Sequence, residues 1–193
     1  MVNNQNLSSI LIGRGLPQFN QISPIEINKC IPVLLKELNV ELTDLESILS
    51  KKLVAKKVLE WKDVILPLYN LEERLRWSWG IICHLNGVDN SQELREAYSS
   101  QQPEVVRFSN RLGQSRALYK GLEQLSINTH NSLDVAQERI ISSELLSMKN
   151  RGVGLTGKNK EEFNANSEQL ASLSTSFSNN VLDATNEWQL LLT

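Results

Sequence analysis

The residues Gly152-Val153-Gly154-Leu155-Thr156-Gly157 carry the G-x-G-x-x-G spacing with which a backbone loop cradles a pyrophosphate. That chemistry needs a strand feeding the loop and a helix N-terminus receiving the phosphates. Here residues 142–151 have helical patterning and end in Lys149-Asn150-Arg151, and no βαβ unit surrounds them. The motif is therefore expected to be a glycine-rich turn between two helices, with Gly152 closing the first.

Cys83 and His84 could in principle form a thiolate–imidazolium pair, but neighbours in sequence point to different sides of a helix. Cys83 is expected to be a buried core cysteine, and His84 to serve the end of its helix through hydrogen bonds. His130 falls in a polar loop with no histidine partner at i±4. Zinc needs three or four Cys, His or carboxylate ligands converging within about 2–2.3 Å. No His-Glu-x-x-His is present, and no G-x-S-x-G elbow supports a nucleophilic serine. Asp183 and Glu187, spaced i, i+4, could raise one another's pKa or bind a cation; a solvated polar face is the expectation. Trp77-Ser78-Trp79 lacks basic interleaving and reads as core packing rather than a base-stacking platform. No catalytic, cofactor-binding or metal-binding residue is therefore assigned.

The elements that position these residues are helical. Residues 1–22 read as an irregular polar arm, and residues 23–193 as one helical domain. Ser23-Pro24-Ile25-Glu26 combines an N-cap, a proline at the first helical position and a glutamate three residues after the cap. Ile31, Leu34, Leu35, Leu38, Leu42, Leu45 and Leu49 then recur at intervals of three and four, one apolar stripe. Pro32 is expected to kink or shorten that helix. A second helix covers about residues 61–85 and stops at Asn86-Gly87. Asn90-Ser91-Gln92-Glu93 supplies a cap and box for a short helix through Tyr98. Gln101-Gln102-Pro103 is expected to break it, with a longer helix following to about Leu125. A polar loop over 126–131 and a helix over 132–149 come next. The last and longest helix spans 159–191, with Phe163, Leu170, Leu173, Phe177, Val181, Ala184 and Trp188 in helical period. The fold class is all-α: about six helices of unequal length, ending in one long amphipathic helix.

Composition narrows the class. The chain has 193 residues, 40% hydrophobic and 22% charged, as a soluble globular chain does. Twenty Lys+Arg against 22 Asp+Glu leave a net charge of −2, with no basic patch for nucleic acid. No apolar run approaches the roughly 20 residues of a membrane span. Ile10-Leu11-Ile12 has no basic segment before it, so it is not a secretory signal. Two cysteines, Cys30 and Cys83, cannot make a disulfide framework, and a reducing cytoplasm is the expected location.

Several segments together resemble a known family. Leu16-Pro17-Gln18-Phe19-Asn20-Gln21-Ile22-Ser23-Pro24 resembles the opening of the oligopeptidase A group in the thimet oligopeptidase family of zinc metallopeptidases. Pro67-Leu68, Trp79-Gly80, His84-Leu85-Asn86-Gly87-Val88 and Glu93-Leu94-Arg95-Glu96-Ala97-Tyr98 continue the likeness. Gly152-Val153-Gly154-Leu155 looks like that family's inter-helix turn, and Phe177-Ser178-Asn179-Asn180-Val181-Leu182-Asp183-Ala184-Thr185 followed by Trp188 is the most specific run. The likeness extends over residues 16–188. Two departures fall in the first helix: Pro24-Ile25-Glu26 stands where the family often has Pro-Glu-His, and Pro32 lies near a displaced family proline.

The resemblance implies an N-terminal helical region that helps wall a deep channel admitting only short peptides. Family members hold zinc through His-Glu-x-x-His and a further Glu in the C-terminal half, where the motif's Glu acts as general base on the metal-bound water. None of those residues lies in this chain, so it is expected to be inactive alone and to bind no stoichiometric zinc. Its expected partners are the missing C-terminal catalytic domain and short peptides, with no nucleic acid and no membrane. The chain would then be an expressed fragment, a truncated gene product or half of a split enzyme. The alternative is a free-standing helical module that holds a peptide or protein in a groove between helices. Trp188, Leu190, Leu191 and Leu192 crowd the end of the chain without a capping signal, which favours the first reading.

Overall fold

The computed structural model describes residues 8–128 and 133–190 of the chain. Six helices follow in order: α1 (Pro24–Val54), α2 (Trp61–Val88), α3 (Gln92–Gly113), α4 (Arg116–Asn128), α5 (Val135–Asn150) and α6 (Gly157–Glu187). No strand occurs among the described residues, so the all-α reading stands.

α1 is the centre of the core. Every residue of its stripe from Ile31 to Leu49 is buried, each removing an aliphatic side chain from water for roughly 1.5–3 kcal/mol. Ser23 caps α1 by accepting the Glu26 amide at 3.3 Å. The glutamate of the expected box does not close back on the cap; Glu26 Oε1 instead accepts from Ser8 Oγ at 3.0 Å. The full boxes lie elsewhere, at Glu60/Asp63 on α2 and Asp134/Gln137 on α5. Before α1, short 3-10 turns at Ser9–Leu11 and Phe19–Gln21 bring the chain onto the bundle. Ile10 is fully buried there, and Ser78 Oγ donates to its carbonyl at 2.9 Å.

Two prolines behave otherwise than the sequence predicts. α1 runs through Pro32 without being shortened, and α3 runs unbroken through Pro103. The carbonyls they orphan, at Asn28 and Ser99, belong to exposed residues that water can reach. The break falls instead at Gln114-Ser115. There the side chain of Arg151 crosses Gly113 so closely that a Cβ would lie 2.4 Å from Arg151 Cδ. Gln114 and Ser115 are buried, and the Ser115 hydroxyl accepts the Leu118 amide to open α4. Other ends move by a turn or less. α2 passes Asn86-Gly87 to reach Val88, α3 is capped by Ser91 without a box, and α4 takes in Ser126 and Ile127. α6 begins at Gly157 and ends before Trp188, which is extended.

Polar links between helices fix their directions. Arg74 of α2 pairs with Glu37 and Glu41 of α1, and Lys52 of α1 with Asp63 of α2, so the two run antiparallel. Asn28 meets Ser100 and Gln101, and Asn39 meets Arg111, so α3 runs parallel to α1. α6 lies antiparallel along α3. Arg95 donates twice to Asp183 (2.8 and 2.5 Å), Gln102 to Thr175 (2.8 Å), Arg107 twice to Glu168 (2.9 and 3.1 Å) and Gln114 to Asn164 (2.8 Å).

Candidate functional site

The turn from α5 to α6 is built as a helix stop. The Gly152 amide bonds back to Lys149 O (3.0 Å) and the Val153 amide to Met148 O (3.1 Å), with Gly152 at φ +80°. This is a Schellman closure, with buried Val153 and Met148 as its usual apolar pair. No strand feeds it, and the nucleotide-like spacing is a turn, as expected.

Cys83 and His84 do not form a pair. Cys83 is exposed rather than in the core, its Sγ 3.9 Å from the Tyr98 hydroxyl. The thiol group itself is nevertheless crowded by neighbouring atoms, and that burial pushes its pKa up, away from thiolate. Cys30 is the buried cysteine. His84 ends no helix by hydrogen bonding; its ring packs against Phe19 at 5.2 Å, because α2 continues a further turn. His130 lies outside the described residues. Asp183 and Glu187 do not act together either. Asp183 is held by Arg95, whose guanidinium keeps its carboxyl below the usual carboxylate range, and Glu187 is exposed at the end of α6. Trp77 and Trp79 pack half-buried against the core, and Trp79 stacks on Tyr98 with ring centroids 4.8 Å apart. Among the described residues no three His, Cys, Asp or Glu come together to hold a metal ion. The donor set of a zinc centre is not present in them.

Two surfaces remain. The first is α6, which contributes no buried residue along its 31 positions. Asn164, Glu168, Ala171, Thr175, Asn179 and Asp183, half-buried, face α3. Leu170, Leu173, Phe177 and Val181 lie roughly 150° around the helix from that seam, at about 100° per residue. They are open to solvent, Leu170 at 66% and Phe177 at 71%, and Trp188 beyond the helix is 70% exposed. The helix therefore turns its polar side to its own domain and its apolar side outward, the reverse of a surface helix that completes a core.

The second surface is a groove of about 370 Å³ where α2 and α3 meet under Arg151. Leu75 and Trp79 from α2 and Val105, Phe108 and Leu112 from α3 line it. Glu72 stands at its polar edge, half-buried. Burial and the nearby Glu144 carboxylate push its carboxyl up to about 7, against the opposing pull of Arg151 and Arg76. Glu144 on α5 is raised too, by burial, with Arg151 again opposing. This cluster escaped the sequence motifs because its members lie on three segments. Its one sequence signal is that Glu72 interrupts the stripe Leu68, Leu71, Leu75, where a solvated charge does not belong.

Residues 31–160 match the family described as Neurolysin/Thimet oligopeptidase, N-terminal domain. The chain is 33% identical over 196 residues to the probable cytosolic oligopeptidase A of Arabidopsis thaliana, covering 100% of this chain and 27% of that protein. It is also 33% identical over 196 residues to the organellar (chloroplastic/mitochondrial) oligopeptidase A of the same plant, covering 100% and 24%. Against oligopeptidase A of Escherichia coli the identity is 31% over 179 residues, 92% of this chain and 25% of the relative. The chain thus spans about a quarter of the length of the curated relatives it matches. Among the described residues no helix is long and apolar enough to cross a membrane.

Proposed function

Because this chain belongs to the neurolysin/thimet oligopeptidase N-terminal domain family, we propose that it serves as the non-catalytic helical region of a zinc-dependent oligopeptidase that hydrolyses short peptides. The observation that carries this is the outward apolar face of α6, from Leu170 through Val181. A monomeric surface rarely leaves such a stripe in water. A C-terminal catalytic domain packed on that face would bury it and place the bundle beside the reacting peptide. The bundle then forms part of a channel wall, admits peptides by length and supplies no group to the chemistry. Zinc and its ligands belong to the catalytic domain, and the working location is the cytoplasm, in line with the cytosolic name of one plant relative.

The experiment is a chimera in which this chain replaces the N-terminal quarter of Escherichia coli oligopeptidase A, assayed beside the chain alone. The chimera is expected to cleave short quenched fluorescent peptides and to spare long ones; the chain alone, with added zinc, cleaves neither. Chelator-sensitive cleavage by the chain alone overturns the reading. A chimera that folds but cleaves without regard to peptide length removes the channel-wall role and favours the free-standing binding module.

A further inference from the structure

We propose that the groove between α2 and α3 receives the C-terminal residue of a short peptide, its apolar side chain against Trp79 and Phe108 and its free carboxylate on Arg151. The choice of a peptide as the source of that carboxylate rests on the peptidase reading above; the carboxylate and apolar chemistry rests on the groove itself.

Arg151 differs from Arg76, the other arginine that lines the groove, and from the arginines that join the helices elsewhere. Arg74, Arg76, Arg95, Arg107 and Arg111 each have a carboxylate partner. Arg151 has none within 4.0 Å among the described residues, and its guanidinium donates only to the Ser109 carbonyl at 3.4 Å. Its stem lies across Gly113, where an added Cβ would stand 2.4 Å from Arg151 Cδ. A guanidinium with donors to spare, held at the rim of an apolar hollow, suits a planar carboxylate that arrives with an apolar group attached. A groove of about 370 Å³ is at the small end of ligand pockets and matches a terminal residue rather than a long segment.

Glu72 decides when the groove accepts an anion. The groups facing it are Arg76 and Tyr69 on α2, Glu144 on α5 and Arg151 just beyond α5. From α3 the groove is lined by Val105, Phe108, Ser109 and Leu112, none of which titrates. Protonated, Glu72 presents a hydroxyl that can donate to the incoming carboxylate. Ionised, it repels that carboxylate and competes for Arg151. Binding is therefore coupled to a proton on Glu72, and between pH 6 and pH 8 it weakens about tenfold for a group titrating near 7.

The test is calorimetric titration of the full chain with N-acetyl-glycyl-leucine, its C-terminal amide and isovalerate. The acid is expected to bind at least tenfold more tightly than the amide, with proton uptake near pH 7 and the tenfold weakening from pH 6 to pH 8. Arg151→Met keeps the stem over Gly113 and is expected to abolish the preference for the acid. Glu72→Gln is expected to keep that preference and to flatten the pH dependence. Equal binding of acid and amide, no binding of the acid, or an Arg151→Met variant that still prefers the acid overturns the proposal. Isovalerate binding as tightly as the dipeptide overturns the peptide as occupant. A chimera without length selection, alongside intact acid binding here, would sink the channel reading alone, whereas the converse result would sink only this one.

Discussion

Replacing Glu72 by Gln isolates the cost of keeping a carboxyl in the groove. An ordinary glutamate titrates near 4.5 and Glu72 is pushed up to about 7. The folded state thus holds the proton more tightly than the unfolded chain, and its benefit is fully present below about 4.5 and lost as pH rises through about 7. The gap corresponds to about 3 kcal/mol at pH 8.5 as an upper bound, from about 1.4 kcal/mol per pH unit. Because the groove is open to solvent, a penalty of about 1–3 kcal/mol is the realistic range. Urea unfolding followed by circular dichroism at pH 5 and pH 8.5 reads this directly. The wild-type chain should lose stability between the two, whereas Glu72→Gln, which cannot ionise, should lose about 1–3 kcal/mol less, with unchanged m-values. Glu144→Gln should lower the pH at which the wild-type loss sets in, since its charge is one cause of the Glu72 shift. If wild type and Glu72→Gln keep a constant difference across the pH range, Glu72 is not buried as a neutral acid and the electrostatic account fails.

Phe177→Asp should reduce self-association of the chain at high concentration, measured by sedimentation, because it puts a charge in the middle of the outward stripe of α6; unchanged association would place the contact elsewhere. Gly152→Ala should destabilise the chain by about 1–2 kcal/mol in urea, since φ there is +80° and a Cβ would stand 2.7 Å from Leu155 Cδ1. Asp183→Asn should speed amide exchange at the C-terminal end of α6 and leave α1 untouched, because it weakens the two bonds from Arg95; exchange that rises equally everywhere would mean that α6 does not loosen by itself.

The first helix was legible in the sequence because its stripe and its cap are both local. Leu34, Leu38 and Leu42 meet the core at the spacing that any helix imposes, and Ser23 caps by reaching three residues along. Pro103 does not end its helix because the continuity of α3 is not a local matter: α1 holds it on one side and α6 on the other. Its actual end at Gly113 answers to Arg151, 38 residues downstream, whose side chain crosses there. The groove was hidden for the same reason. Glu72, Glu144 and Arg151 acquire their chemistry from one another and from burial, and no spacing records that. For α6 the apolar period was plain to see, but period alone does not say which way a helix turns it.

The seam between α3 and α6 has a consequence for which substitutions α6 can accept. Four links, at Asn164, Glu168, Thr175 and Asp183, mesh with Gln114, Arg107, Gln102 and Arg95 like teeth along one side of the helix. Sliding α6 by a single helical turn would unseat all of them at once, so direction and register are encoded on one side of the helix. The other side, where Leu173 and Phe177 are exposed, carries no such teeth. Substitutions there can change what the outer face would hold while the helix stays indexed on its own bundle.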